Sequence, residues 1–358
     1  MSRVLIAGYY GFGNAGDELI LESILSGFRR DFPGALPVVL SHNPGRTSRE
    51  HGVRAADRWN PAAVVKEMVL ADSFLLGGGG ILQDSTSSAS LWYYLALVRL
   101  AALLGKRIVV AAAGIGPVSS PLNRRLTGSA LREALEISVR DGGSASALEA
   151  MGLGREVFSG ADPALLFDGE EGAEDKSAGA PVVLFVPRSL PAKRFPALMK
   201  DASAALGAFA RETGARVRVV PFHHERDREE AARCAAVIGG GAALEPWEGL
   251  AGLRRKVRGS DLVVSARMHG LALSCLFRIP ALGLSVDPKV AAFAAAAGFP
   301  AFERGDFPAA LRSAWRGRDS IRDSAAARLP GLRSLAGEAL ARALSAACGK
   351  PFEAVKPL

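Results

Sequence analysis

Short apolar runs alternate with amphipathic stretches through most of the chain. That is the pattern of a parallel sheet whose strands are buried on both faces and joined by helices. Runs at Val4–Gly8, Pro37–Ser41, Asp72–Leu76, Arg107–Ala113 and Glu136–Val139 predict strands, with another inside Val157–Phe167. Apolar spacing places helices through about Phe28 and from about Ser90 to Leu104. Asp168–Pro181 (DGEEGAEDKSAGAP) is acidic and poor in apolar residues, as a linker or surface loop is. The alternation then restarts, with strands at Val182–Val186, Arg216–Val220, Leu262–Val264 and Ala281–Val286. Helices are expected near Pro196–Thr213 and Asp227–Ile238 and from Gly270 onward, with terminal ones near Pro308–Arg316 and Leu332–Ala347. The stretches beginning at Asp72 and Asp261 repeat one supersecondary unit: strand, turn, helix, strand, turn. This predicts an α/β fold of two Rossmann-like domains, residues 1–170 and 182–310, facing across a cleft, joined by a linker at 171–181. Helices in 311–358 are expected to pack back on the first domain.

Composition narrows the class. Hydrophobic residues at 49% and charged residues at 22% fit globular domains and argue against disorder. The formal net charge of +8 suits anionic small molecules or a membrane surface. Arginines are scattered and no nucleic-acid motif is present, so nucleic acid is not an expected partner. Cys234, Cys275 and Cys348 lie far apart without metal spacing, which suggests a reducing compartment and no metal site. The apolar start is too short for a signal peptide, and Leu91–Gly116 is broken by Arg99, Lys106 and Arg107, so a cytoplasmic place is expected, with at most peripheral membrane contact.

Candidate chemistry collects at the strand ends. Arg267 and His269 stand between a strand and a helix, where anions are favoured, and Lys289 follows the next strand. Three such groups need an anion or carboxylates to offset their repulsion. In the first half, Gly11, Gly13 and Gly16 match the dinucleotide pattern G-x-G-x-x-G. The second strand, however, ends in Ser41-His42-Asn43, with no acid for a ribose, which argues against NAD. Asp17 reads equally as a helix N-cap or as a base for a sugar hydroxyl. Gly77–Gly80 suggests a ligand lying on the backbone, with Gln83 and Asp84 able to reach hydroxyls. Arg140 reads as a structural ion pair or an anion ligand, with periodicity favouring the pair. His223 and His224 read as solvent-facing or in contact with an acceptor.

Together GYYGFGNAGDE, LLGGGGILQD, AAGIGP, SVRD, DPAL, SARMHG and GLSVDPK resemble the polysaccharide pyruvyl transferases, most closely the CsaB type of bacterial cell-wall glycopolymer synthesis. The resemblance covers Gly8 to about Gly298 and implies a glycosyltransferase-B-like fold. It implies transfer of a pyruvyl group from phosphoenolpyruvate, with no further cofactor, to form a 4,6-ketal. The implied acceptor is N-acetylmannosamine of a lipid-linked secondary cell wall polysaccharide, as used in S-layer anchoring. By motif, Arg267, Lys289 and Arg140 would hold the donor, and His269, with Asp17, would carry protons. Gly11, Gly13, Asn14, Gly78, Gly79, Gln83 and Asp84 would line the acceptor side. The rival readings are a nucleotide-sugar glycosyltransferase of the same fold and a non-catalytic glycan-binding protein.

Overall fold

The computed structural model describes residues 1–85, 87–168, 179–190, 197–240 and 242–352. They divide into two compact units, one built from Met1–Asp168 with residues from Leu332 onward, the other from the residues between. The linker expected at 171–181 lies, except for 179–181, outside the described residues.

The first unit holds strands β1 (Arg3–Ala7), β2 (Leu36–Ser41), β3 (Arg54–Asp57), β4 (Ser73–Leu76), β5 (Gly79–Leu82), β6 (Arg107–Ile115), β7 (Glu136–Val139) and β8 (Phe158–Ser159). They form one sheet in the order β3-β2-β1-β4-β6-β7-β8, with β5 also paired to β6. The second unit holds β9 (Val182–Val186), β10 (Arg216–Val219), β11 (Ala243–Leu244), β12 (Leu262–Ser265), β13 (Ala281–Leu284) and β14 (Ala301–Phe302), in the order β11-β10-β9-β12-β13-β14. Every pairing is parallel. The central strands are continuous apolar runs because helices cover both faces; all five residues of β9 are buried. Residues such as Phe74, Val98 and Ile137 in one core, and Phe185, Leu206 and Val264 in the other, each stabilise the fold by roughly 1.5–3 kcal/mol.

Both sheets follow the doubly wound plan. The strand order reverses between β1 and β4 in the first and between β9 and β12 in the second, and such a reversal opens a crevice at the strands' carboxyl ends. The last long helix runs unbroken from Arg318 to Ala347, starting earlier than the sequence suggested and carrying Pro330 inside it. Its part from Leu332 belongs to the first unit, where Ser138 Oγ donates to the Ala339 carbonyl (3.2 Å) and Arg107 Nη2 to that of Ala347 (3.2 Å). Residues 311–331, expected among helices of the first domain, belong to the second unit. Among the described residues no helix is long and apolar enough to cross a membrane.

Candidate functional site

The second unit's crevice is built by SARMHG. Ser265 ends β12, where its Oγ accepts from the Arg267 N–H (3.1 Å) and donates to the Arg267 carbonyl (2.6 Å), closing a tight turn. A side chain at Gly270 would meet that hydroxyl, its Cβ falling 2.3 Å from Ser265 Oγ. The turn feeds the helix Met268–Leu276, with Arg267 at its cap and His269 in its first turn. Lys289 stands likewise in the first turn of the helix Pro288–Ala297, after the neighbouring strand β13. Arg267, His269 and Lys289 thus emerge at one sheet edge, beside two helix N-termini that favour anions.

This edge also holds groups that the sequence did not mark. Arg267 makes a side-on fork to the fully buried Asp227, Nε to Oδ2 at 2.9 Å and Nη2 to Oδ1 at 2.7 Å. The fork does not use Nη1. Asp227 further accepts the N–H groups of Ser189 and His223, both at 3.1 Å, so it fixes the cation to the loops after β9 and β10. Arg188, just past β9, donates to Asp287 Oδ2 at 3.1 Å, while Asp287 Oδ1 accepts the Lys289 N–H at 3.1 Å. Burial pulls the Asp287 carboxyl upward, but the Lys289 N–H and charge, with Arg188, hold it below the usual range. The carboxylates that the converging cations require are therefore partly the chain's own.

His223 corrects an expectation. It is buried rather than solvent-facing, and burial, with Arg267 beside it, pushes its pKa down to about 4, so it is neutral. His224 is half-buried.

In the first unit, the loops after β1 and β4 meet at the other crevice. Gly11 and Gly13 adopt left-handed backbone at φ +79° and +71°. The Gly11 N–H donates to Glu18 Oε1 at 2.9 Å, and Glu18 and Glu22 clamp His51 at 3.1 and 2.7 Å. Burial alone would lower the pKa of His51, yet the two carboxylates raise it to about 9. Glu18, Glu50 and His51 each place a ligand atom within 4.8 Å of the others. A doubly protonated imidazole offers a metal no lone pair.

Asp17 is not the helix cap. Asn14 holds the cap position of the helix Ala15–Asp31, and Asn14 Nδ2 donates to Asp17 Oδ2. Asp17, buried, stands in the first turn, where the helix N-terminus favours its charge.

The glycine run has a packing explanation. A Cβ at Gly77 would fall 2.0 Å from Tyr10 Oη, one at Gly78 2.8 Å from Ile20 Cγ2, and one at Gly79, where φ is +96°, 2.4 Å from Asp17 Oδ1. A side chain at any of these three glycines would meet the chain's own side chains.

Asp84 is likewise engaged, accepting the N–H groups of Ser119 (2.8 Å) and Ser120 (3.1 Å) and the Asn123 amide (2.9 Å). It organises the turn into the helix Pro121–Leu131 instead of reaching outward. Gln83, half-buried, accepts from Ser85 Oγ. Arg140 is buried against Gly114, with Asp162 and Asp141 each at 3.3 Å, the ion-pair arrangement.

With this geometry in place, comparison with known proteins decides the family. The model of the polysaccharide pyruvyl transferases matches residues 14–288. The chain belongs to that family. No curated protein matches the sequence. Among solved structures, this pyruvyl transferase family member is similar to S. aureus MnaA with UDP (TM-score 0.69, 13% identity, all of both chains covered). It is also similar to a UDP-GlcNAc 2-epimerase from Neisseria meningitidis bound to UDP-GlcNAc (TM-score 0.63, 12% identity, 94% of this chain and 97% of that one). A third likeness is to Anabaena HepE with UDP-glucose (TM-score 0.60, 13% identity, 99% and 96%). At such identities the likeness is one of fold, a glycosyltransferase-B arrangement of two Rossmann-like units. Arg188 and Asp227 went unmarked in the sequence reading of this transferase, though Pro187-Arg188-Ser189 directly follows a predicted strand and marked a strand-end loop.

Proposed function

We propose that the chain transfers the enolpyruvyl group of phosphoenolpyruvate to a sugar as a 4,6-ketal with release of phosphate. The observation that carries this reading is the edge after β9, β12 and β13, where Arg188, Arg267, His269 and Lys289 gather at a topological switch point and two of them are oriented by buried or capping carboxylates. Phosphoenolpyruvate carries a phosphate and a carboxylate, which suit an arginine with a donor outside its fork and a lysine at a helix N-terminus.

The proposed steps balance as follows. One sugar hydroxyl adds to C2 of the donor as C3 gains a proton and becomes methyl. The C2–O bond to phosphate then breaks, leaving an oxocarbenium ion, and the second hydroxyl closes the ketal. Of the two hydroxyl protons, one is accounted for by the methyl group and one leaves with phosphate. His269 is assigned both transfers, since imidazole gives and takes protons near neutrality. Arg267 and Lys289 steady the departing phosphate. Asp17 is assigned to the acceptor side as base. Arg140, already met by two carboxylates, holds its strand end in this reading and leaves the donor to the second unit.

The acceptor we propose is N-acetylmannosamine on a lipid-linked cell-wall precursor, met at the cytoplasmic face of the membrane. A nucleotide-sugar glycosyltransferase is the second reading, favoured by structural neighbours solved with UDP or UDP-sugars. One assay separates them: phosphate release from phosphoenolpyruvate with an N-acetylmannosaminyl disaccharide, beside UDP-sugars and a His269→Ala control. Acceptor-dependent phosphate release, lost in the control, supports pyruvyl transfer. UDP release without phosphate release gives the second reading its place.

A further inference from the structure

An aromatic cluster in the first unit takes no part in the chemistry above. It sits at the carboxyl ends of β1, β2 and β3, the edge where α/β sheets receive ligands. Phe12, on the loop between Gly11 and Gly13, is stacked between Tyr9 (4.1 Å between centroids, 8° between planes) and His42 (4.4 Å, 0°). Trp59 stands edge-on to Phe12 and His42 and leans on Tyr93, which packs on Tyr94. Beneath them the buried guanidinium of Arg58 lies 4.4–5.3 Å from the ring centres of Phe12, Trp59, Tyr93 and Tyr94. Arg58 donates to the Gly8 carbonyl at 2.8 Å and reaches the Tyr94 hydroxyl at 3.3 Å.

A buried cation held by a carbonyl, a phenol and ring faces is costly to place. What the arrangement achieves is rigidity at its solvent edge. Trp59 is 56% exposed, yet its indole N–H donates to His42 Nδ1 at 2.8 Å and its backbone N–H to Asp57 Oδ1 at 2.9 Å. His42 accepts at Nδ1, so its remaining proton is on Nε2 and the ring is neutral. The exposed rim is thus a fixed indole face and a neutral imidazole, bordered by the exposed Asn43 and Asp57. Flat faces with neutral or acidic polar neighbours suit the C–H face and hydroxyls of an uncharged pyranose. They suit a diphosphate poorly, because Asp57 repels it and the one cation of the cluster is buried.

We infer that Trp59 and His42, braced by Arg58, form a seat for a neutral sugar ring of the acceptor glycan. This rests on the reading of the chain as a transferase acting on a saccharide. The seat adjoins the proposed acceptor loop: Tyr94, at its floor, lies within electrostatic reach of Asp17.

The test is saturation-transfer NMR and calorimetry, without phosphoenolpyruvate, using the methyl glycoside of an N-acetylmannosaminyl disaccharide, and separately UDP. The proteins are wild type, Trp59→Ala, Trp59→Phe and His42→Ala, each checked for an unchanged melting temperature. Trp59→Ala is expected to weaken disaccharide binding roughly ten-fold and Trp59→Phe much less, as loss of a stacked ring implies. That result upholds the seat even if no phosphate is released in the transfer assay, in which case only the reaction falls. Undiminished binding by Trp59→Ala, no binding by the wild type, or UDP as the ligand that Trp59→Ala loses overturns the seat, even where pyruvyl transfer proceeds.

Discussion

Replacing Asp227 by Asn tests whether Arg267 is held for chemistry or for stability. The change keeps shape but places an amide NH₂ among four donors: two from the Arg267 guanidinium and the N–H groups of Ser189 and His223. Removing one partner of a buried ion pair costs about 3–5 kcal/mol, and since the Arg267 side chain is 18% exposed, solvent recovers part of that, so about 3 kcal/mol is expected. At about 2–4 °C per kcal/mol for a unit of this size, melting should fall by about 6–12 °C. The KM for phosphoenolpyruvate should rise as well, because the fork that aims Arg267 is gone. The double variant Asp227→Asn, Arg267→Met separates the two effects. With the cation removed, no donor of Arg267 faces the amide, but its single oxygen still meets only one of the Ser189 and His223 N–H groups, so stability should recover by about 1–2 kcal/mol and stay below the wild type. Activity should fall further than in Asp227→Asn, since the guanidinium itself is gone. The reasoning is refuted if Asp227→Asn melts with the wild type, or if the double variant recovers turnover together with stability.

Three further outcomes are expected. His51 has a folded pKa of about 9 against an unfolded value near 6.5, so it contributes on the order of 3 kcal/mol, fully present below about pH 6.5 and lost as pH rises through about 9; urea melts across that range should show the decline in the wild type and a flatter profile in His51→Phe. Asp84→Ala, which strips two backbone donors and one amide of their acceptor, should lower stability by about 1–3 kcal/mol and leave the acceptor KM alone; an acceptor KM raised with stability intact would restore the hydroxyl-binding role. Gly79→Ala forces a Cβ onto Asp17 at a left-handed backbone and should cost about 1–3 kcal/mol in a denaturant melt; wild-type stability would undo the packing account of the glycine run.

The doubly wound plan was legible because its central strands are buried on both faces, so Val4–Ala7, Phe74–Leu76, Val182–Val186 and Leu262–Val264 stand out as apolar runs. The edge strands did not stand out. β3 reads Arg-Ala-Ala-Asp and is half-exposed, and β11 and β14 are two residues long, so none carries an apolar run. The choice at Asp17 between cap and base stayed open because Asn14 and Asp17, three residues apart, are both cap-forming types that propensity alone does not rank; the backbone puts the cap at Asn14. His223 looked exposed because it sits beside His224 and Glu225 in a polar stretch; its burial depends on Asp227 drawing the loop inward through the His223 N–H.

The instructive difference lies in charge. Arg267, His269 and Lys289 converging on a strand edge implied a bound anion or neighbouring carboxylates, on the ground that like charges need compensation. Asp227 and Asp287 supply much of that compensation from within the chain, so convergence of cations does not by itself require a substrate. What still distinguishes this edge is that the compensation is directional. The Asp227 fork engages one side of the guanidinium, and Asp287 accepts the Lys289 backbone N–H and an Arg188 nitrogen. A pair serving stability alone gains nothing from standing at the carboxyl ends of β9, β12 and β13, where the strand order reverses and two helix N-termini point. Carboxylates that aim cations at such a place orient their donors toward an anion without leaving bare charge in its absence, and the proposed phosphoenolpyruvate reading draws on that combination.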